Sequence, residues 1–168
     1  MYNILQGPML EKTNSYIDYY NKYKDKIYTY LWYRSGYNSQ IAEDLTSDVF
    51  LKALKSFDSF DPEKSFQAWI YAIAKNHLIN YYTKSGREVP LDEAEKAHYC
   101  MEENFDNKDE LEKIIIKINE LKNYHKEVLL LRFVDGLSNV EIAEMINKDE
   151  GAVRTQISRA LKELREII

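Results

Sequence analysis

Apolar side chains recur every third or fourth residue through most of the chain, which is the spacing of one face of an α-helix. One stripe predicts a helix over roughly residues 39–56 and contains Ala42, Leu45, Val49 and Ala53. A second stripe predicts a helix over residues 67–84 and contains Ala68, Ile70, Tyr71, Ala74, Leu78 and Tyr82. With 5 Gly and 3 Pro, the chain has too few turn residues for a β-sandwich or a β-barrel. The sequence therefore predicts an all-α protein.

Tyrosine is concentrated near the start of the chain, where nine tyrosines precede position 40. One helical face in this region contains Tyr16, Tyr20, Tyr23 and Ile27. We expect these rings to be buried and their hydroxyls to reach water, because tyrosine combines an apolar ring with a polar tip. Lysines alternate with the rings, so stacking on nucleic-acid bases is the other interpretation.

A loop is predicted over Phe57–Phe66, where Pro62 interrupts the helical pattern. Its three phenylalanines either fold back onto the core or form the wall of a binding pocket. The outer face of the next helix holds amides, cations and an indole, namely Trp69, Lys75, Asn76, Asn80 and Lys84, with Arg87 beyond its end. Cations hold phosphate and flat groups stack on unpaired bases, so this face suits single-stranded DNA. A buried Trp69 that only anchors the fold is the alternative.

The second half of the chain contains a capping box at Ser138–Glu141. In such a box the Ser hydroxyl accepts from the Glu amide while the Glu carboxylate accepts from the Ser amide. A helix is predicted over Asn139–Ile146, and Asn147 tolerates the left-handed conformation that ends it. Asp149 is placed to cap a second helix. Two helices joined by a short turn predict a helix-turn-helix.

The second helix of this unit has a basic outer face. Its inner stripe contains Val153, Ile157, Leu161 and Leu164, and its outer face contains Arg154, Thr155, Ser158, Arg159 and Lys162. Residues 151–165 hold four cations and one acid, a local charge of +3 in a chain of net charge −5. Arg forks onto guanine or phosphate, and Ser and Thr contact either. This face predicts reading of duplex DNA, with an ordinary solvated helix as the alternative.

Charge and periodicity divide the chain into two domains and a linker. Residues 89–110 hold far more acidic than basic side chains and show no sustained apolar period. These properties are typical of a solvated linker. We therefore expect one helical domain over residues 1–88, an acidic linker over 89–110, and a helix-turn-helix domain over 111–168.

Composition excludes several other classes of protein. Of 168 residues, 45% are hydrophobic and 30% charged, so disorder throughout is excluded. Cys100 is the single cysteine and forms neither a disulfide framework nor a metal cluster, so we expect no metal and no cofactor. No apolar run is long enough to span a bilayer, and the first ten residues lack the features of a secretory signal. The cytoplasm is therefore the expected compartment.

Three segments of the sequence form a set of motifs: residues 42–53 (AEDLTSDVFLKA), residues 65–76 (SFQAWIYAIAKN), and the stretch from Glu127 to Leu161. Together they resemble the small extracytoplasmic-function (ECF) sigma factors of bacterial RNA polymerase. The resemblance extends over about residues 15–85 and 108–167. It implies a chain without catalysis of its own that binds core RNA polymerase and directs it to a promoter.

The resemblance also implies a role for particular residues. Those implied to bind core polymerase are Asp44, Leu45, Ser47, Asp48, Leu51 and Lys52. Those implied to capture the melted minus-ten element are Ser59, Phe60, Lys64, Ser65, Trp69, Lys75, Asn76, Asn80, Lys84 and Arg87. Those implied to read the minus-thirty-five element as duplex are Arg154, Thr155, Ser158, Arg159 and Lys162. The acidic linker would thread toward the RNA channel, and an anti-sigma factor is a further candidate partner.

Two other classes of function fit parts of the pattern. A stand-alone helix-turn-helix transcriptional regulator would bind duplex DNA without polymerase. A helical enzyme would use clustered carboxylates, for which Asp44 and Asp48 are the best candidates. No nucleophile or histidine stands near them at a useful sequence position, so we expect no enzymatic activity.

Overall fold

The computed structural model describes residues 6–86, 114–115 and 117–168, and within these ranges it contains helices and no strands. The predicted all-α class is confirmed. The α-helices are α1 (Gln6–Arg34), α2 (Ser39–Ser56), α3 (Phe66–Ser85), α4 (Asn123–Leu129), α5 (Asn139–Ile146) and α6 (Glu150–Ile167). A 3-10 turn at Phe57–Ser59 follows α2, and a π-helical turn at Leu130–Val134 follows α4.

The predicted linker, residues 89–110, and Arg87 lie outside the described residues. No helix in these ranges has both the length and the apolarity needed to cross a membrane.

Helices α1, α2 and α3 pack around a shared apolar core. Every residue of the two predicted stripes on α2 and α3 is buried, with 5% exposure or less. On α1, Tyr16, Tyr23 and Ile27 are also buried. Tyr20 is 41% exposed, so the prediction that it would be buried was wrong. Its ring lies at the edge of the stripe and meets Phe50 edge-on instead of entering the core.

Short polar residues set where the helices of the first half begin. The Asn38 side chain accepts a hydrogen bond of 3.0 Å from the amide of Ile41 at the start of α2. The Ser65 hydroxyl accepts one of 3.2 Å from the amide of Ala68 at the start of α3. Each bond satisfies an amide that has no partner within its own helix. Helix α3 ends at Gly86, whose φ of 62° is a left-handed conformation that glycine adopts without steric cost.

The predicted helix-turn-helix is present as α5 and α6. The capping box at Ser138 and Glu141 is complete, and Asn147 ends α5 with φ 53° and ψ 54°. Asp149 occupies the N-cap position of α6, but its side chain makes no capping hydrogen bond, so that detail of the prediction was wrong. The first turn of α6 therefore relies on the acidic side chain of Glu150, which complements the positive end of the helix dipole.

The end of α1 contacts the second half of the chain through an ion-pair network in which Arg34 and Asp135 are buried and Glu127 is partly exposed. The Arg34 side chain is 8% exposed and lies 3.1 Å from a Glu127 carboxylate oxygen and 3.2 Å from one of Asp135. Its guanidinium also lies over the Tyr30 ring, 3.8 Å from the centroid. Burial raises the pKa of Asp135 to about 6, because the nearby guanidinium offsets only part of the desolvation. Helix α3 packs on α5 beside this network.

Candidate polymerase and DNA interfaces

The outer surface of α2 carries the residues expected to bind polymerase. Five of them are exposed and are termed the docking face below: Asp44, Ser47, Asp48, Leu51 and Lys52. Leu51 contributes a large apolar surface, with 55% exposure. Leu45 is 3% exposed and packs in the core on the same stripe as Ala42 and Val49, as the periodicity predicts. It therefore does not belong to the exposed docking face, and its part in binding polymerase stays a prediction.

An imidazole from α3 lies between two charged groups of the docking face. The Nδ1 atom of His77 is 2.6 Å from the Lys52 ammonium, and its Nε2 atom is 3.2 Å from an Asp48 carboxylate oxygen. The His77 side chain is 13% exposed, whereas that of Asp48 is 59% exposed. The pKa of His77 is below its ordinary value, first because burial disfavours the charged ring and second because Lys52 repels it.

The phenylalanines of the loop fold back onto the core instead of forming an open pocket. Phe66 is 4% exposed and stacks on Tyr19 with ring centroids 4.0 Å apart. Phe60 and Trp69 are half-buried, and their centroids lie 5.0 Å apart. Trp69 therefore anchors the loop to α3, while it and Phe60 each keep part of their ring surface accessible.

The polar residues expected at the minus-ten element form two groups. Ser59, Lys64 and Ser65 lie on the loop, with Ser65 half-buried and the other two exposed. Asn76, Asn80 and Lys84 are exposed at four-residue intervals, which places them on one stripe of α3, and Lys75 is partly buried beside them. With Phe60 and Trp69, these residues are termed the minus-ten surface.

The hydroxyls of two serines in this loop form hydrogen bonds within the fold. The Ser59 hydroxyl donates to the carbonyl of Ser56 over 2.6 Å, and the Ser65 hydroxyl donates to Glu141 of α5 over 2.6 Å. Ser65 also caps α3, so its hydroxyl donates to Glu141 and accepts from the amide of Ala68 at the same time.

The recognition face of α6 is exposed along its whole length. It consists of Arg154, Thr155, Ser158, Arg159 and Lys162, all of which are exposed. Arg154 pairs with Glu150 one turn earlier, at 2.7 Å, and the Thr155 hydroxyl donates to the Gly151 carbonyl. The carboxylate of Glu163, the one acid within residues 151–165, is hydrogen-bonded to His125 of α4. The Glu163 carboxylate is thus directed to α4, whereas Arg154 keeps an acidic partner in Glu150.

Several residues at these interfaces were not predicted from the sequence. His77 and His125 each hold a carboxylate of another helix, and Leu54 extends the docking face with 53% exposure. Gln156 donates to the Tyr124 carbonyl over 2.7 Å and so joins α6 to α4 beside the recognition face. Leu54 could have been found from the helical wheel of α2. The histidine contacts join positions 29 and 38 residues apart, for which a single sequence carries no signal.

Two family models match the chain, and together they contain all three candidate surfaces. Sigma-70 region 2 matches residues 19–88, which hold the docking face and the minus-ten surface. Sigma-70 region 4 matches residues 111–164, which hold the recognition face.

Curated relatives agree with these matches. The chain is 34% identical over 167 residues to the ECF RNA polymerase sigma factor SigW of Bacillus subtilis, an alignment that covers 91% of this chain and 88% of SigW. The chain belongs to the ECF sigma factor family. It is also 31% identical over 155 residues to the ECF RNA polymerase sigma factor BldN of Streptomyces coelicolor. That alignment covers 89% of this chain but spans only 58% of the length of BldN.

A solved structure shares the fold of this ECF sigma factor. The sigma factor RpoE of Bartonella quintana, solved in complex with the anti-sigma factor NepR, superposes with a TM-score of 0.68. The superposition covers 90% of this chain and 95% of that chain, at 19% sequence identity. The resemblance stated from the sequence is thus confirmed at the level of family and fold.

Proposed function

We propose that this ECF sigma factor binds core RNA polymerase and directs it to promoter DNA for recognition, melting and initiation of transcription. The observation that supports this best is the presence of two exposed surfaces of different character on one chain. Helix α2 exposes carboxylates beside Leu51, and α6 exposes cations and hydroxyls. A regulator that bound duplex DNA alone would need only the second surface.

In this proposal the docking face binds the polymerase. Asp44 and Asp48 accept from basic groups of the partner, and Leu51, less than one turn beyond Asp48, supplies an apolar contact. Exposed charges at an interface mainly steer and orient the partner, whereas a buried apolar residue contributes to affinity. Leu45 supports this surface from the core.

The minus-ten surface captures unpaired bases of the melted promoter. The accessible parts of Phe60 and Trp69 offer stacking, worth about 1–3 kcal/mol per base. Such stacking is comparable with the few kcal/mol that unstacking a base requires. Lys64, Lys75 and Lys84 add contacts to phosphate that weaken as salt rises. Arg87, outside the described residues, is proposed to do the same.

The recognition face reads the minus-thirty-five element in the major groove. Arg154 and Arg159 have the forked donors that suit guanine or phosphate, and Thr155 and Ser158 reach either. Arg154 leaves its exposed pairing with Glu150 at little cost, since surface ion pairs contribute only about 0–1 kcal/mol.

The two domains and the linker that the sequence predicts have separate roles in this function. Residues 1–88 bind polymerase and the minus-ten element, residues 111–168 read the minus-thirty-five element, and the acidic residues 89–110 join them. The protein acts with polymerase in the cytoplasm, takes no catalytic step of its own and needs no cofactor. An anti-sigma factor is a candidate partner, since the structurally similar RpoE was solved with one.

Transcription from a genomic DNA library with purified core polymerase tests this function. We expect promoter-specific transcripts only when core and this protein are both present. A double Arg159→Ala, Lys162→Ala variant should lose them, whereas Arg165→Ala, at an exposed position of α6 outside the recognition face, should retain them. Tight and specific duplex binding by the isolated protein, without any effect on transcription by core, would support the stand-alone regulator instead.

A further inference from the structure

The contact of His77 with α2 has a geometry that an ordinary helix packing contact does not require. Asp48 and Lys52 lie one turn apart on α2, a spacing at which an acid and a base can pair directly. In this structure the imidazole of His77 lies between them and contacts each with a different ring nitrogen. Two charged groups of the docking face are thereby held by one side chain of α3.

The two contacts select a single form of the ring. An ammonium group has donors and no acceptor, so the Nδ1 atom beside Lys52 must accept and carries no proton. The proton of the neutral ring is then on Nε2, where it is donated to the Asp48 carboxylate. Protonating Nδ1 would place a second donor against the Lys52 ammonium. The lowered pKa of His77 agrees with a neutral ring at physiological pH.

The differing exposure of the three groups indicates what the arrangement achieves. His77 is largely enclosed, whereas the Asp48 and Lys52 side chains extend from an exposed helix face. Long exposed side chains lose rotamer entropy when a partner binds them, and holding them beforehand lowers that cost. Residues next to His77 on α3, Lys75 and Asn76, belong to the minus-ten surface.

We propose that His77 is a positioning residue for polymerase docking. Its neutral ring, protonated at Nε2, holds the Asp48 carboxylate and the Lys52 ammonium in place. The same contacts connect the docking face to α3, the helix that carries the minus-ten surface. The partner surface that fits this arrangement presents a basic group to Asp48. The inference rests on the proposed docking role of α2.

Two substitutions separate positioning from simple packing. His77→Gln keeps a donor and an acceptor in one planar amide, whereas His77→Leu keeps only bulk. We expect His77→Leu to weaken binding of the full-length protein to core polymerase about fivefold to tenfold, the effect of ordering one or two exposed side chains that the ring no longer holds. His77→Gln should restore most of that affinity. Ile79→Ala, at an exposed α3 position outside all three surfaces, is the matched control and should bind as the wild type does.

A double-mutant cycle and a spectroscopic measurement complete the test. His77→Leu should add little to the effect of Asp48→Asn if His77 acts through that carboxylate. Nitrogen NMR of the His77 ring should show the proton on Nε2. Equal loss of affinity in the Leu and Gln variants, additive effects with Asp48→Asn, or a proton on Nδ1 would each overturn the positioning role.

The docking proposal itself is checked by Asp44→Arg in the same assay. If Asp44→Arg binds core normally, the proposed docking face is wrong. If Asp44→Arg loses binding while His77→Leu retains it, only the positioning role of His77 is wrong.

Discussion

The hydroxyl of Ser65 donates a hydrogen bond of 2.6 Å to the carboxylate of Glu141. Ser65 is the N-cap of α3, and Glu141 completes the capping box of α5, so one contact joins the starts of two helices that are far apart in sequence. The other oxygen of Glu141 accepts from the amide and the hydroxyl of Ser138. Burial raises the pKa of Glu141, but these hydrogen bonds outweigh it and the net pKa lies below the ordinary value.

Replacing Glu141 should therefore destabilise the fold. Glu141→Gln has one acceptor oxygen in place of two, so it can keep the capping box but not the contact to Ser65 as well, which should cost about 1–2 kcal/mol at pH 7. Because the folded pKa is depressed, the carboxylate's contribution is present above pH 4.5 and is lost as pH falls. Urea unfolding at pH 7 and pH 4 measures both effects. Glu144→Gln, exposed on the same helix, is the control; equal stability of the two variants at pH 7 would contradict the prediction.

The left-handed conformation of Asn147 gives a second prediction. Its φ of 53° is unfavourable for residues with a Cβ unless they are Asn or Asp. Asn147→Ala should destabilise the protein by about 1 kcal/mol, whereas Asn147→Gly should be neutral or slightly stabilising. Thermal unfolding of both variants tests this. If alanine is tolerated as well as glycine, α5 does not end in the conformation described.

The buried carboxylate of Asp135 should make stability depend on pH in the opposite direction. Its pKa is raised from 3.8 to about 6 by burial, so its favourable contribution is present below pH 4 and is lost as pH rises through 6. Relative to Asp135→Asn, the wild type should lose about 2 kcal/mol of unfolding free energy between pH 4 and pH 7. Chemical denaturation across this range measures the difference. If the unfolding free energies of wild type and variant change with pH in parallel, burial does not raise the pKa of Asp135.

Local signals explain why so much of the fold could be predicted. The capping box at Ser138 and Glu141 and the end of α5 at Asn147 depend on neighbouring residues, so the sequence contained all the information for them. The stripes of α2 and α3 were equally accessible, since helical periodicity needs no knowledge of the partner helix. Leu45 belongs to these stripes, so its burial was predicted from periodicity, whereas its role in docking was implied by the resemblance alone.

Contacts between distant segments could not be predicted in the same way. Arg34 pairs with Glu127 and Asp135, which follow it by 93 and 101 residues, and no local pattern links these positions. The contacts of His77 and His125 likewise have no local signal, because their carboxylate partners lie on other helices. Asp149 was expected to cap α6, yet its side chain makes no such bond, since N-cap preference is a statistical tendency and not a constraint.

The recognition face gives a prediction about DNA sequence preference. If Arg154 forks onto guanine, Arg154→Ala should weaken promoter binding by the holoenzyme by about 1–3 kcal/mol and relax preference at one base pair. Binding to a set of single-base promoter variants measures this. A uniform loss across all variants, with a smaller dependence on salt, would reassign Arg154 to phosphate contact.

The most direct test of the account is the association of the purified full-length protein with core RNA polymerase, measured by fluorescence anisotropy across a range of salt concentrations. We predict saturable one-to-one binding by the wild type and loss of binding by Asp44→Arg, whose exposed position should leave folding intact by circular dichroism. Failure of the wild type to bind core at any salt concentration would contradict the central claim.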